Sequence, residues 1–198
     1  IKSVKIIDTE SIETSSVGTW RYAGLFKNIR SKVENLVLEN IVVSTTTNGV
    51  DLSTAGIVAG STNTTIENVS IKNSTVTGGK YTGGVVGYSY GSIVGCNLDN
   101  VVISGQSQCG AIVGYSCTNI SDAPNKISDN KIVNSTLKLE NMFEKKVMGK
   151  IAGTVNSDPE TNPENIVTLI CKNNTFTDFT CDCESDFGRV VNGSKVEQ

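Results

Sequence analysis

GGVVGYSYGSIVGCNLDNVVISGQSQCGAIVG, residues 83–114, begins and ends on nearly the same words. Gly83-Gly84-Val85-Val86-Gly87-Tyr88-Ser89 returns as Gly110-Ala111-Ile112-Val113-Gly114-Tyr115-Ser116. The step is about 27 residues, and a fixed step of roughly 20–50 residues marks a stacked-repeat architecture. Between the two copies runs Ile93-x-x-Cys96-x-Leu98-x-Asn100-x-x-Ile103. Two apolar positions two apart, with polar neighbours, have the alternation of a strand with one buried face.

The rest of the chain can be laid over this unit. Ala23-Gly24-Leu25-Phe26, Ala55 to Gly60, Gly110 to Gly114 and Gly149 to Gly153 each open a copy, and a partial sixth runs from Gly188 to Asn192. Alignment gives five columns. The first holds Val33, Ile66, Ile93, Ile127 and Ile166; the second Leu36, Val69, Cys96, Asn130 and Leu169. The third holds Leu38, Ile71, Leu98, Ile132 and Cys171; the fifth Val43, Val76, Ile103, Leu137 and Phe176. The fourth is wholly asparagine: Asn40, Asn73, Asn100, Asn134 and Asn173. A helical face could also use some of these spacings. The dominance of β-branched residues and the frequent glycines decide for strands.

An all-asparagine column has a physical meaning in a parallel stack. Equivalent residues lie above each other at about 4.8 Å, where side-chain amides can donate to one layer and accept from the other. Asparagine also tolerates the left-handed backbone at a corner. The sequence therefore predicts an all-β fold, a right-handed parallel β-helix (solenoid) of about five to six coils with an asparagine ladder. Three strands of about five residues per coil would fit the repeat length. One domain, 1–198, is expected: 1–21 a lead-in and cap, with 8–18 a polar loop, 22–193 the repeats and 194–198 a tail. The longer steps late in the chain place loops at Ser116 to Asn125, Glu140 to Val147 and Ser157 to Pro163. Asparagines of N-x-S/T sequons on the ladder are expected to be buried, whereas Asn63, Asn119 and Asn192 lie elsewhere. The start at Ile1 reads as a processed chain or a fragment of a larger protein.

Composition narrows the function. With 17 basic and 20 acidic residues the net charge is −3, which gives no electrostatic case for nucleic acid. No apolar run is long enough to insert in a membrane as a helix. The chain has no histidine, so a Ser-His-Asp or Cys-His centre and the usual His-bearing zinc sites are excluded. The recurring glycines are turn and packing residues, not a phosphate cradle. No cofactor or metal is expected, and no catalytic set emerges. The nearest approach to one is Asp182, Glu184 and Asp186 in CDCESD, a carboxylate cluster of the kind that glycosidases use. No aromatic or arginine accompanies it, and a solvated acidic loop is the simpler reading. Of six cysteines, Cys96 and Cys171 fall in inward columns, whereas Cys109, Cys117, Cys181 and Cys183 fall at strand ends or loops and could supply one disulfide. Tyr88 and Tyr115 are aligned in adjacent repeats, either as a stacked pair or as part of a ligand-facing strip.

GGVVGYSYGSIVGCNLDNVVISG resembles the GLUG repeat of bacterial surface proteins, most closely over residues 83–114 and more loosely from Tyr22 to about Val191. Lys27 in place of glycine, Asn130 in an apolar column, and the stretched fourth and fifth copies depart from the pattern. The resemblance implies a parallel β-helix on a secreted or cell-surface protein, and supplies no catalytic residues. The expected function is a non-enzymatic extracellular structural or adhesion module whose loops and sheet face meet a host surface, carbohydrate or other protein chains, including end-to-end partners. The alternative is a polysaccharide-binding or polysaccharide-degrading β-helix. A third option, an ice-binding solenoid, needs a flat threonine array, and Thr45-Thr46-Thr47 does not recur at the repeat step.

Overall fold

The computed structural model describes residues 1–8, 12–15, 18–45, 52–118, 124–140, 147–157, 168–191 and 194–198. Ile166, Asn119, Asn192, Thr46, Thr47, Pro159, Pro163 and much of the three expected loops lie outside the described residues. One coil can be followed from Asn97. Asn97–Gly105 lies in a first sheet, Gln108–Gly110 in a second, Val113–Thr118 in a third and Asn125–Ser128 in a fourth, after which Lys131–Val133 rejoins the first. Repetition of this path builds four sheets of parallel strands, a β-helix of about six coils. Each coil thus uses more and shorter segments than the three strands expected, because left-handed residues and glycines turn the chain more often.

The expected columns are real registers through the middle coils. Ile66 pairs with Val33 and Ile93, and Ile93 with Ile127. Ile71 pairs with Leu38 and Leu98, and Leu98 with Ile132. Val43, Val76, Ile103 and Leu137 follow the same rule. Nearly all these side chains are fully buried. Burial of each such aliphatic side chain stabilises by about 1.5–3 kcal/mol, so a one-residue slip, which would turn the whole set outward, is strongly disfavoured.

Two corners per coil need a left-handed backbone. Asn40, Asn73, Asn100 and Asn134 have φ of 48–56°. Five residues earlier stands a second set that the alignment did not reveal: Asn35, Asn68, Gly95, Asp129 and Asn173, with φ of 52–65°. The Asn100 amide donates to Asn73 Oδ1 at 2.9 Å, whereas that of Asn134 turns to Asp99 Oδ1 at 3.1 Å. These corner side chains face solvent. The ladder asparagines of the sequons, Asn73, Asn134 and Asn173, are therefore exposed, not buried, because the corner turns its side chain outward.

The last coil departs from the expected alignment. Lys131, Ile132 and Val133 pair with Thr175, Phe176 and Thr177, so Asp178 (φ 49°) occupies the corner above Asn134. Asn173 instead lies above Asp129, to whose Oδ1 it donates at 2.9 Å. Asn130, the polar residue in an apolar column, supplies the physical reason. It is fully buried, its Oδ1 accepts from the Cys96 N–H at 2.9 Å, and its amide donates to the Ile93 carbonyl at 3.1 Å. Its remaining donor reaches Asn174 Oδ1 at 2.9 Å, and Asn174 donates onward to the Ile127 carbonyl at 2.7 Å. A buried amide must find partners, and only this register puts Asn174 over Asn130. The stack thus holds a second, internal asparagine ladder.

At the ends one short strand falls where Val4 to Ile7 reads as one, and two more fall where a loop and a tail are expected. Lys5–Asp8 is a rung of the first sheet, paired with Val42–Thr45. Within the stretch expected as loop, Ile12–Ser15 forms a strand antiparallel to Gly18–Ala23. Lys195–Glu197 pairs with Thr168–Ile170.

Candidate functional site

The second and third sheets close upon each other, and glycine permits it. A Cβ on Gly87 would lie 2.5 Å from the Ala55 nitrogen, one on Gly83 2.7 Å from Val113 Cα, and one on Gly114 2.7 Å from the Tyr81 carbonyl carbon. Each neighbour is backbone of the facing sheet. On its other side the second sheet meets the first: a Cβ on Gly105 would lie 2.9 Å from Thr82 Cβ. Consecutive Tyr81, Thr82 and Gly83 are accordingly all buried.

Away from this glycine corner the two sheets are joined by aromatic rings. The single tryptophan and all five tyrosines of the chain gather here. Trp20, Tyr22 and Tyr81 come from the second sheet, Tyr88 and Tyr115 from the third, and Tyr90 from just beyond it. Tyr88 and Tyr115 are register partners, stacked with centroids 4.9 Å apart and planes 11° apart. Tyr81 meets both across the sheets, at 5.6 and 5.0 Å. Trp20 stacks on Tyr22 and Tyr81 and sets its edge to Tyr88. The ammonium groups of Lys27 and Lys80 lie 5.8 and 5.3 Å from the centres of the Tyr22 and Tyr81 rings, within reach of cation–π attraction.

The Tyr88 hydroxyl donates to that of Tyr90 at 3.1 Å, and the Asn156 amide donates to the Tyr115 hydroxyl. Burial raises the Tyr81 and Tyr88 phenols above the ordinary range. It raises Tyr115 to about 12, against the lowering effect of Asn156. All three are neutral donors and acceptors at physiological pH. Burial alone holds Lys80 below the usual lysine value. Four buried oxygens border the rings without a protein hydrogen-bond partner: Ser61 Oγ, Gln108 Oε1, Thr154 Oγ1 and Asn156 Oδ1. Ser61 and Thr154 are the register neighbours of Tyr88 and Tyr115, and Gln108 is that of Tyr81. The seam therefore combines apolar ring surface with unused hydrogen-bonding capacity.

The other expected site residues are placed less suggestively. Asp182 and Glu184 line a cavity of about 580 Å³ with Leu139, Val147, Met148 and Cys183, at the C-terminal end of the stack. Asp186 lines a neighbouring cavity of about 460 Å³ with Lys172 and Gln198. Neither lining contains an aromatic ring. Cys96 and Cys171 are buried as expected. Cys109 and Cys117, expected at strand ends or loops as candidates for a disulfide, are buried and outside any disulfide, Cys109 in the inner column of Ala55 and Thr82. Burial raises Cys96 to about 11 and Cys109 and Cys171 to about 12, so none of these three is a thiolate nucleophile at neutral pH. Cys181 and Cys183 form a disulfide. Among the described residues, no group of His, Cys, Asp and Glu side chains could hold a metal ion, and no helix is long and apolar enough to cross a membrane.

The sequence singled out Tyr88 and Tyr115, but not the convergence of six rings. The repeat step carried a signal, since Tyr81 and Tyr88 flank the same glycine corner; Trp20 and Tyr22 carry none without the fold. No protein-family model, curated protein sequence or solved structure matches the chain.

Proposed function

We propose that this chain is a non-enzymatic binding module of an extracellular or cell-surface protein, a GLUG-like stack whose aromatic seam takes a hydroxyl-rich ligand such as a surface glycan. The observation that carries this reading is the segregation of every tryptophan and tyrosine to one seam, while the interior is built from Ile, Val, Leu and Ala. Rings with a polar tip suit a surface that is apolar on one side and wet on the other. Lys27 and Lys80 beside the rings add positive charge that favours acidic sugars.

Trp20 is the only tryptophan, so its fluorescence reports on the seam alone. Titration with a panel of neutral and acidic oligosaccharides should give a saturable change in emission for at least one class, abolished in Tyr88→Ala with the circular dichroism spectrum preserved. A panel that leaves emission unchanged, with no glycan retained on an array, would reject the seam as the site.

Asp182 and Glu184 on one cavity favour a second reading, polysaccharide cleavage. Release of reducing ends or unsaturated products from a polysaccharide panel, lost in Glu184→Gln, would establish it in place of the first.

A further inference from the structure

The first, third and fourth sheets each carry a rung in every coil, but the second does not. Its outermost strand at the C-terminal end is Val147–Gly149, one coil short of the end. In the last coil the chain passes from Thr180–Cys181 to Phe187–Val191 without a strand between them. The cavity of about 580 Å³ lies at that place, over Val147 and Met148. At the opposite end the same sheet has one strand too many: Ile12–Ser15, the antiparallel strand outside Gly18–Ala23. A four-residue strand is about 13 Å long, and the missing rung would have occupied a similar length.

Other features of the ends agree. Phe26 and Phe187 stand at the two ends of one column, in register with Ala59 and Ala152 respectively. Phe26 is 40% exposed. Residues 1–34 include six basic and four acidic residues; residues 171–198 include three basic and five acidic ones. One end of the stack is therefore net positive and the other net negative.

We propose that the chain associates head to tail with a second copy of itself, the first coil of one molecule docking on the last coil of the next. Ile12–Ser15 enters the place of the missing rung beside Val147–Gly149, and the Phe26 of one copy lies over the Phe187 of the other. Exposed strand edges at both ends supply the backbone hydrogen bonds. The contact is heterologous, so its repetition produces an open filament unless the rotation closes. Of the seam only Trp20 and Tyr22 stand on the first coil, whereas Tyr81, Tyr88 and Tyr115 stand on inner coils, so loss of glycan binding in Tyr88→Ala and loss of association in the end variants can occur independently.

The test is sedimentation velocity over a concentration series, followed by carbodiimide cross-linking of a mixture of isotopically light and heavy chains. Elongated species should grow with concentration, and mixed-isotope links should join residues 1–34 of one copy to residues 171–198 of another. Asp182→Lys with Glu184→Lys should weaken association at least tenfold without changing the circular dichroism spectrum. Lys2→Glu with Lys5→Glu in a partner should restore it. A monomer at every concentration overturns the proposal, and so does association whose links run between side faces of the stack.

Discussion

Asn174 lies one layer above Asn130, and the buried Asn130 amide donates to its Oδ1 at 2.9 Å. The same Asn174 oxygen accepts from the Asn130 backbone N–H at 3.2 Å. With the bonds from Asn130 to Cys96 and Ile93, these contacts join three successive coils through one column. Asn130→Ala would leave the Cys96 N–H and the Ile93 carbonyl without those partners inside the stack. An orphaned buried group costs about 1–3 kcal/mol, so the variant should lose at least that much in urea unfolding. An unchanged midpoint would mean that the amide is not buried against its neighbours.

Asp129 provides a titration test of the same register. Its carboxyl is held below the ordinary value by the hydrogen bond from the Asn173 amide, then by one from Ser128. A depressed folded value adds stability above the unfolded carboxylate pKa of about 3.9, and that contribution is lost as pH falls through the folded value. Asn173→Ala should raise the Asp129 pKa toward the ordinary value in a carboxyl-detected NMR titration. No movement would separate the two residues.

The glycine corner should tolerate no side chain. A Cβ on Gly110 would come within 2.6 Å of the Ile151 carbonyl oxygen and 2.7 Å of Ala152 Cα, and backbone cannot swing aside as a side chain can. Gly110→Ala and Gly83→Ala should each destabilise by about 3 kcal/mol or more, at the upper end of single-substitution effects. A loss near zero in thermal unfolding would show that the second and third sheets do not approach so closely.

Cys96, Cys109 and Cys171 should be silent toward a thiol reagent at pH 8 in the native state and react on unfolding. Their folded pKa values, about 11, 12 and 12, exceed the unfolded value of about 8.5. The unfolded chain therefore loses protons first as pH rises. Stability from these groups is complete below about pH 8.5 and declines from there toward pH 12. Rapid native-state labelling of any of the three would contradict their burial.

The middle of the stack was legible in the sequence because Ile71, Leu98 and Ile132 each stand two residues before an asparagine, within the same pattern of apolar neighbours. The outer corner containing Asn35 and Asn68 was hidden: Gly95 and Asp129 fill the same left-handed position, so no single residue type marks it. The last coil was misaligned because Leu169 and Cys171 have the same apolar spacing as the residues above Ile132. The deciding side chain, Asn174, is polar and falls outside the five aligned columns. The seam was only half legible. Tyr88 over Tyr115 follows from the repeat step, but the meeting of Trp20, Tyr81 and Tyr88 follows from the closing of two sheets on their glycines.

Engineered disulfides between register partners test the in-register stack most directly. Thr75 pairs with Val102, and Val133 with Thr177, and adjacent strands bring Cα atoms within the 4.4–6.8 Å that a disulfide spans. Thr75→Cys with Val102→Cys, and Val133→Cys with Thr177→Cys, should each oxidise to an intramolecular cross-link in the folded protein. Val133→Cys with Lys172→Cys, the pairing that apolar spacing alone suggests, should remain reduced. Cross-linking of the Val133 and Lys172 variant in preference to the other two would contradict the stack described for this chain.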